Sequence, residues 1–204
     1  MSDRIVHIVD DEAPVRASLA FLLMSAGYAV RAHDGGPAFL NAIGDTAGAC
    51  LVTDLRMPEM NGVELLEALS AKGLHVPAIV ITGHGDVPMA VAAMKAGAID
   101  FIEKPFEDAV LIAAIERANA SADARGDQGP DTAAIQLRMG QLTTREREIL
   151  TGIVAGLPNK TIAYDLQISP RTVEVHRANI MTKMQAKSLP ELVRMTLTMA
   201  KKPI

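Results

Sequence analysis

The run Ala49-Cys50-Leu51-Val52-Thr53-Asp54 constrains this chain more than any other stretch. An unbroken apolar and β-branched segment ends abruptly in a carboxylate. It is followed by Leu55-Arg56-Met57-Pro58-Glu59-Met60-Asn61-Gly62, a loop punctuated by Pro and Gly. A run that does not alternate fits a strand buried on both faces, and such strands belong to parallel sheets covered by helices. In those sheets ligands sit just beyond the carboxyl ends of the strands, where Asp54 is expected. A lone strand-end Asp is also a common loop cap, so its meaning depends on what ends the other strands.

The other strands end in similar chemistry. Arg4-Ile5-Val6-His7-Ile8-Val9 runs into Asp10 and Asp11; Ala78-Ile79-Val80-Ile81-Thr82 ends in a hydroxyl; Ile99-Asp100-Phe101-Ile102-Glu103 ends at Lys104-Pro105. Tyr28-Ala29-Val30-Arg31-Ala32 is a shorter strand. Between them lie helical patterns: Val15, Leu19, Leu22, Leu23 and Ala26 after Pro14; a segment from Pro37 to Ile43; Val63, Leu65, Leu66 and Leu69; a stretch from Val87 to Ala96; and Val110, Ile112, Ala113, Ile115 and Ala118. Five strands alternating with five helices predict a doubly wound α/β domain with a five-stranded parallel sheet. Asp10, Asp11, Asp54, Thr82 and Lys104 then share one rim. Clustered carboxylates repel unless a cation neutralises them, and an all-oxygen set suits Mg²⁺. Lys104 and the Thr82 hydroxyl would hold a phosphoryl group, with Asp54 as its acceptor.

The chain has 204 residues, room for two ordinary domains. Residues 1–122 carry 8 Lys and Arg against 16 Asp and Glu, whereas residues 123–204 carry 12 against 8. That asymmetry separates an acidic module from a basic one fit for nucleic acid. Cys50 is the single cysteine and sits within an apolar strand, which excludes a disulfide framework or a thiolate metal site. There is no apolar signal core and no run of membrane-spanning length. A cytoplasmic protein with no membrane partner is expected.

Residues 123–140, broken by Gly126, Gly129 and Pro130, read as a linker, and residues 141–204 as a second, all-helical domain. Thr143-Thr144-Arg145-Glu146 has capping-box spacing before Ile149, Leu150 and Ile153. Gly156 ends that helix, Pro158 opens the next, and Pro170 opens a third after the turn Gln167-Ile168-Ser169. In the third helix Val173, Ile180 and Met184 are expected inside, with Arg171, Arg177 and Lys183 outside. Ser188 is expected to cap a fourth. Two short helices, a tight turn and a helix rich in base-capable side chains read as helix-turn-helix. A small bundle with a solvated basic face shares these features.

The pattern Val9-Asp10-Asp11, Thr53-Asp54-Leu55-Arg56-Met57-Pro58-Glu59-Met60-Asn61-Gly62, Ile81-Thr82-Gly83 and Lys104-Pro105-Phe106 resembles the flavodoxin-like receiver domain of two-component response regulators, over residues 1–122. Leu142-Thr143-Thr144-Arg145-Glu146-Arg147-Glu148, Asn159-Lys160-Thr161-Ile162-Ala163, Leu166-Gln167-Ile168-Ser169 and Thr172-Val173-Glu174-Val175-His176 resemble the LuxR-type DNA-binding domain. Together they are similar to the NarL/FixJ class. The resemblance implies that a sensor histidine kinase, FixL-like and oxygen-sensing, phosphorylates Asp54, with Thr82 and Lys104 assisting. It implies Mg²⁺ on Asp54, Asp11 and the Arg56 carbonyl, backed by Asp10, and a cis Lys104-Pro105 bond. Thr82 and Phe101 would be the switch pair. Many receivers carry Tyr at the latter position, and Phe101 has only ring burial with which to signal.

It further implies a homodimer when phosphorylated, for which Val91, Lys95 and Ile99 are the expected contact, and activation of nitrogen-fixation genes through promoter DNA and RNA polymerase. Base-reading positions fall on Glu174, Val175 and Ala178. Phosphate contacts fall on Lys160, Arg171, Thr172, Arg177, Asn179 and Lys183. Some relatives carry Lys where this chain has Glu174 and Ala178; Glu174 would either accept from a cytosine amino group or repel phosphate. His176 would touch phosphate or pack. Two rival readings remain at this point. A Mg²⁺-dependent phosphohydrolase usually wants an acid two residues after its Asp nucleophile, where this chain has Arg56. A phosphorylated adaptor would use the helical domain to bind protein.

Overall fold

The computed structural model describes residues 5–44, 48–83, 87–123 and 132–200. Arg4 and residues 124–131 of the expected linker lie outside them. The chain divides into two compact units, residues 1–85 with 96–126 and residues 86–95 with 127–204. Among the described residues no helix is long and apolar enough to cross a membrane.

The first half alternates β1 (Ile5–Val9), α1 (Ala13–Ser25), β2 (Ala29–His33), α2 (Gly36–Ala42), β3 (Ala49–Asp54), α3 (Gly62–Ala71), β4 (Ala78–Thr82), α4 (Val87–Lys95), β5 (Asp100–Glu103) and α5 (Asp108–Asp123). The strands form one parallel sheet, as the alternation predicts, in the order β2-β1-β3-β4-β5. Every residue of β3 is buried, which explains why its sequence does not alternate. Cys50 lies in that strand, and burial pushes its thiol up to about 12, so it behaves as a small hydrophobe. Gly27 closes α1 at φ 87°, a backbone conformation that other L-residues rarely adopt. On α5 the buried face is Leu111, Ala114, Ile115 and Ala118, while Val110 is exposed. Of the apolar residues that mark this helix in the sequence, Ile115 and Ala118 are buried and Ile112 and Ala113 half-buried.

Near the β2 edge of the sheet, His7 and His33 stack at 5.2 Å, with His7 Nδ1 and His33 Nε2 3.0 Å apart. Phe39 of α2 meets both rings edge-on, at 5.2 and 5.3 Å. One imidazole N–H donates to the other's lone pair, which requires that the accepting ring be uncharged at that nitrogen. Burial, then the neighbouring His33 and Arg31, push the His7 pKa down to about 4.

The second half contains α6 (Thr132–Gly140), α7 (Thr144–Val154), α8 (Asn159–Asp165), α9 (Pro170–Met184) and α10 (Leu189–Ala200). Helix α6 occupies residues expected to be linker. Its Ile135 is buried in the same core as Leu142, Ile149, Ile153, Ile162, Val173 and Ile180. The capping box of α7 forms as predicted, Thr143 accepting from the Glu146 N–H and Glu146 accepting from the Thr143 N–H. Gln167, at φ 53°, makes the left-handed step between α8 and α9. Ser169 then caps α9 by accepting from the Thr172 N–H, and Ser188 accepts from the Glu191 N–H in the first turn of α10. Val173, Ile180 and Met184 face inward as expected.

Two measurements check these elements. Between about pH 6.5 and 4 an unfolded histidine takes up a proton that folded His7 resists, so His7 contributes stability that is lost as pH falls through that window. The parent's urea midpoint should therefore drop relative to that of His7→Phe on acidification; a constant difference would refute the buried neutral pair. A fragment of residues 132–204 should also outlast one of 141–204 in urea. Ile135→Ala in the longer fragment should cost about 2–5 kcal/mol.

Candidate functional site

The strand order places β1 beside β3, and the carboxyl ends of β1, β3, β4 and β5 bring Asp10, Asp54, Thr82 and Lys104 to one rim. Asp10 and Thr82 are buried and Asp54 is 8% exposed. The Lys104 ammonium bridges the two acids, donating to Asp54 Oδ1 at 2.9 Å and to Asp10 Oδ2 at 3.2 Å. The other oxygen of each carboxylate is also held: the Glu12 N–H donates to Asp10 Oδ1 at 2.9 Å and the Arg56 N–H to Asp54 Oδ2 at 2.6 Å.

The charge balance follows from these contacts. Burial raises the Asp10 pKa, opposed by the Glu12 N–H and by Lys104, with the Asp54 charge adding to the rise. Burial pulls the Lys104 ammonium downward, yet its bonds and charge attraction to Asp54 and Asp10 outweigh that, and its pKa stands above the ordinary lysine value. Asp11 and Arg56 are exposed at the same rim. Among the described residues no three acidic, histidine or cysteine side chains converge on a single metal-ligand point. Asp10 and Asp54 converge instead on the Lys104 ammonium.

The backbone enforces this geometry. Leu55 N–H donates to the Ile81 carbonyl, Lys104 N–H to the Thr82 carbonyl, and Gly62 N–H folds back to the Leu55 carbonyl. A Cβ on Gly62 would stand 2.6 Å from the Asp54 carbonyl oxygen, so the loop closes this tightly only with glycine. Asn61 caps α3 through the Val63 and Glu64 N–H groups. The Lys104-Pro105 peptide is cis, as the resemblance implied. Phe101 is half-buried, paired in register with Val80. Arg16, which sequence reasoning missed, donates to the Asp10 carbonyl at 2.7 Å. Its only signal was an isolated cation one turn into α1. Of the residues expected at a pairing surface, Lys95 is exposed, Ile99 half-buried and Val91 buried.

In the helical half, Arg171, Glu174, Val175 and Ala178 share one exposed stripe of α9 at helical spacing, with Asn179 exposed beside it. Arg171 pairs with Glu174 at 2.9 Å. Thr172 is half-buried at the cap and Lys160 is exposed in α8. Two expected outward cations differ: Arg177 is half-buried and donates to Asn159 Oδ1 at 2.7 Å, and Lys183 donates to the buried Glu146 carboxylate at 2.7 Å. His176 packs with its Nδ1 buried and unpaired.

Comparison with known proteins agrees with this geometry. Residues 6–116 match the family model for the response regulator receiver domain, and residues 140–196 that for bacterial regulatory proteins of the luxR family. The chain is 62% identical to the transcriptional regulatory protein FixJ of Rhizobium meliloti strain 1021, over 97% of each chain. It is 56% identical to FixJ of Azorhizobium caulinodans, over 94% of this chain and 91% of that one. A crystal structure of full-length FixJ from B. japonicum matches over 100% of both chains, with 44% identity and a TM-score of 0.53.

The bridging role of Lys104 has a direct check. In Lys104→Met, Asp10 loses its cationic partner while keeping its burial, so its carboxyl should titrate still higher than in the parent. Carboxyl-carbon NMR across the acid range reads this, and an unchanged or lower titration point would show that Lys104 does not neutralise Asp10.

Proposed function

The chain belongs to the FixJ-type response regulators, two-component transcriptional regulators in which a receiver domain is joined to a DNA-binding domain of the luxR family, and on that premise we propose that Asp54 is the phosphoacceptor that switches the protein onto its promoters. It is a transcriptional regulator and not an enzyme. The observation that carries the proposal is the Lys104 ammonium held within hydrogen-bond reach of both Asp54 and Asp10 at the sheet rim.

A carboxylate oxygen of Asp54 attacks phosphorus as the phosphorus–nitrogen bond of a phosphohistidine donor breaks, giving an acyl phosphate on Asp54. Lys104 is placed to swing from the carboxylates to a phosphoryl oxygen. Asp54, Asp11 and the Arg56 carbonyl would hold Mg²⁺ with Asp10 behind them; Asp10 and Asp54 already share one cation, and the bound ion would neutralise the acids. Thr82 then turns its hydroxyl toward the phosphoryl group, and Phe101 turns into the space it leaves. The surface holding Lys95 and Ile99, over the buried Val91, repacks, and two chains pair.

Pairing places two α9 helices on a two-fold site and raises affinity through effective concentration. Glu174, Val175 and Ala178 read bases; Lys160, Arg171, Thr172, Arg177 and Asn179 hold the backbone. The donor is a FixL-like histidine kinase in the cytoplasm, the targets are nitrogen-fixation promoters, and the activated dimer engages RNA polymerase. Residues 1–122 act as the receiver, and the DNA-binding domain includes α6.

The test is to incubate the protein with acetyl phosphate and Mg²⁺ and follow mass, oligomer size and promoter binding together. The parent should gain one phosphoryl group, dimerise and bind; Asp54→Asn should do none of these while keeping its fold, and EDTA should suppress uptake. A fragment of residues 132–204 should bind without phosphate, at higher affinity than the intact unphosphorylated chain. Ordinary phosphoryl uptake by Asp54→Asn would overturn the assignment.

A further inference from the structure

Lys183 sits in the last turn of α9, beyond the stripe that faces outward at Arg171, Glu174, Val175 and Ala178. Its Nζ donates to Glu146 Oε2 at 2.7 Å, and its own side chain is 34% exposed. The carboxylate it meets is 4% exposed, and the same oxygen accepts from the Thr143 N–H at 2.7 Å. Glu146 thus has two tasks, closing the cap of α7 and fastening the end of α9. A buried carboxylate stripped of its cation is strongly disfavoured, so this ammonium is not spare for a distant phosphate.

The neighbouring contacts act in the same sense. Arg145, one residue earlier on α7, donates to the Leu166 carbonyl at the end of α8 at 2.8 Å. The first turn of α7 therefore grips both helices of the helix-turn-helix, α8 through Arg145 and α9 through Glu146. Arg138 of α6 adds a longer bond to the Met184 carbonyl, at 3.4 Å. The outward stripe of α9 is thereby anchored from the opposite, C-terminal end of the helix.

We infer that Glu146 and Lys183 form a positioning pair that sets the pitch of α9, so that Lys183 governs base discrimination without touching DNA. The inference rests on the reading of α9 as the base-reading helix. It separates Lys183 from Lys160, an exposed lysine of α8 that is expected to act on the phosphate backbone. The two roles differ in an observable way. A side chain that neutralises a phosphate releases counterions, and its loss lowers the slope of log affinity against log salt by about 0.9. A positioning residue leaves that slope alone and changes the preference between sequences.

The experiment uses the full-length protein treated with acetyl phosphate. The probes are a duplex selected by the parent protein from a random-sequence pool and a scrambled duplex of the same composition. Affinities of parent, Lys183→Met, Lys183→Arg, Glu146→Gln and Lys160→Met are measured for both duplexes across a salt series, with thermal melts as the check on folding. Lys183→Met should lose selected-over-scrambled preference on the order of tenfold, comparable to one good base contact, with the parent's salt slope. Lys183→Arg should restore most of the preference. Glu146→Gln, which keeps the Thr143 contact and removes the charge, should show a partial loss of the same kind and covers the case in which Lys183→Met does not fold. Lys160→Met should lose about 0.9 in slope and keep its preference. A drop of that size for Lys183→Met with preference intact would make Lys183 a phosphate contact and overturn the pair's role. No change in either quantity would overturn it as well. If the parent itself does not prefer its selected duplex, the base-reading assignment of α9 fails, which is a distinct outcome.

Discussion

Everything at the sheet rim depends on one ammonium between two carboxylates. Asp10 and Asp54 are largely removed from water, the Asp54 charge disfavours ionisation of Asp10, and Lys104 reaches both. Without a cation there, the cheapest response would be protonation of one acid, which would remove its use as a ligand or nucleophile. The Arg56 and Glu12 N–H groups fix the remaining oxygens, so the carboxylates are held in orientation as well as in charge. The loop after β3 serves the same end. Gly62 lies against the Asp54 carbonyl and its N–H donates to the Leu55 carbonyl, so the loop folds back onto the strand end.

On the proposed reading, Lys104 is also what makes the site convertible. It is the most exposed member of the ion-paired group, with 25% of its side chain accessible, and it hangs from a flexible stem. An ammonium can leave two carboxylates for an arriving phosphoryl oxygen when another cation replaces it. A guanidinium fixed by a planar, two-point contact would surrender that position less readily. Thr82 is fully buried beside the cluster, and the Lys104 N–H donates to its carbonyl, so β4 and β5 are tied directly to the residue that would move.

How much of this could be read from sequence varied with the range of the interaction. Strand ends were legible because β3 is apolar up to the charge that ends it, and the capping box of α7 because Thr143 and Glu146 are three residues apart. Inward positions of α9 were legible because Val173, Ile180 and Met184 stand in a polar helix. Helix α6 was not, since the Gly and Pro residues before it dominate the local composition and its one fully buried anchor, Ile135, is isolated in sequence. The His7–His33 stack and the Arg177–Asn159 bond join residues from separate elements, and no local spacing announces them.

The two halves apply the same device to different ends. Each holds a carboxylate in the protein with one lysine, yet the surroundings decide whether the pair can open. In the receiver the lysine is shared between two acids, and the outer, exposed acid Asp11 leaves the rim accessible to a further cation. In the helical unit Glu146 meets a single lysine: Lys183 lowers its pKa most, burial opposes, and the Thr143 N–H assists. Opening that pair would strip a buried carboxylate of its ammonium and would also weaken the cap of α7. A lysine between competing acids is therefore suited to exchange, and a lysine on one buried, already capped acid is suited to hold a helix still. Such a division matches a regulator whose receiver must change state while its DNA-reading surface keeps its shape.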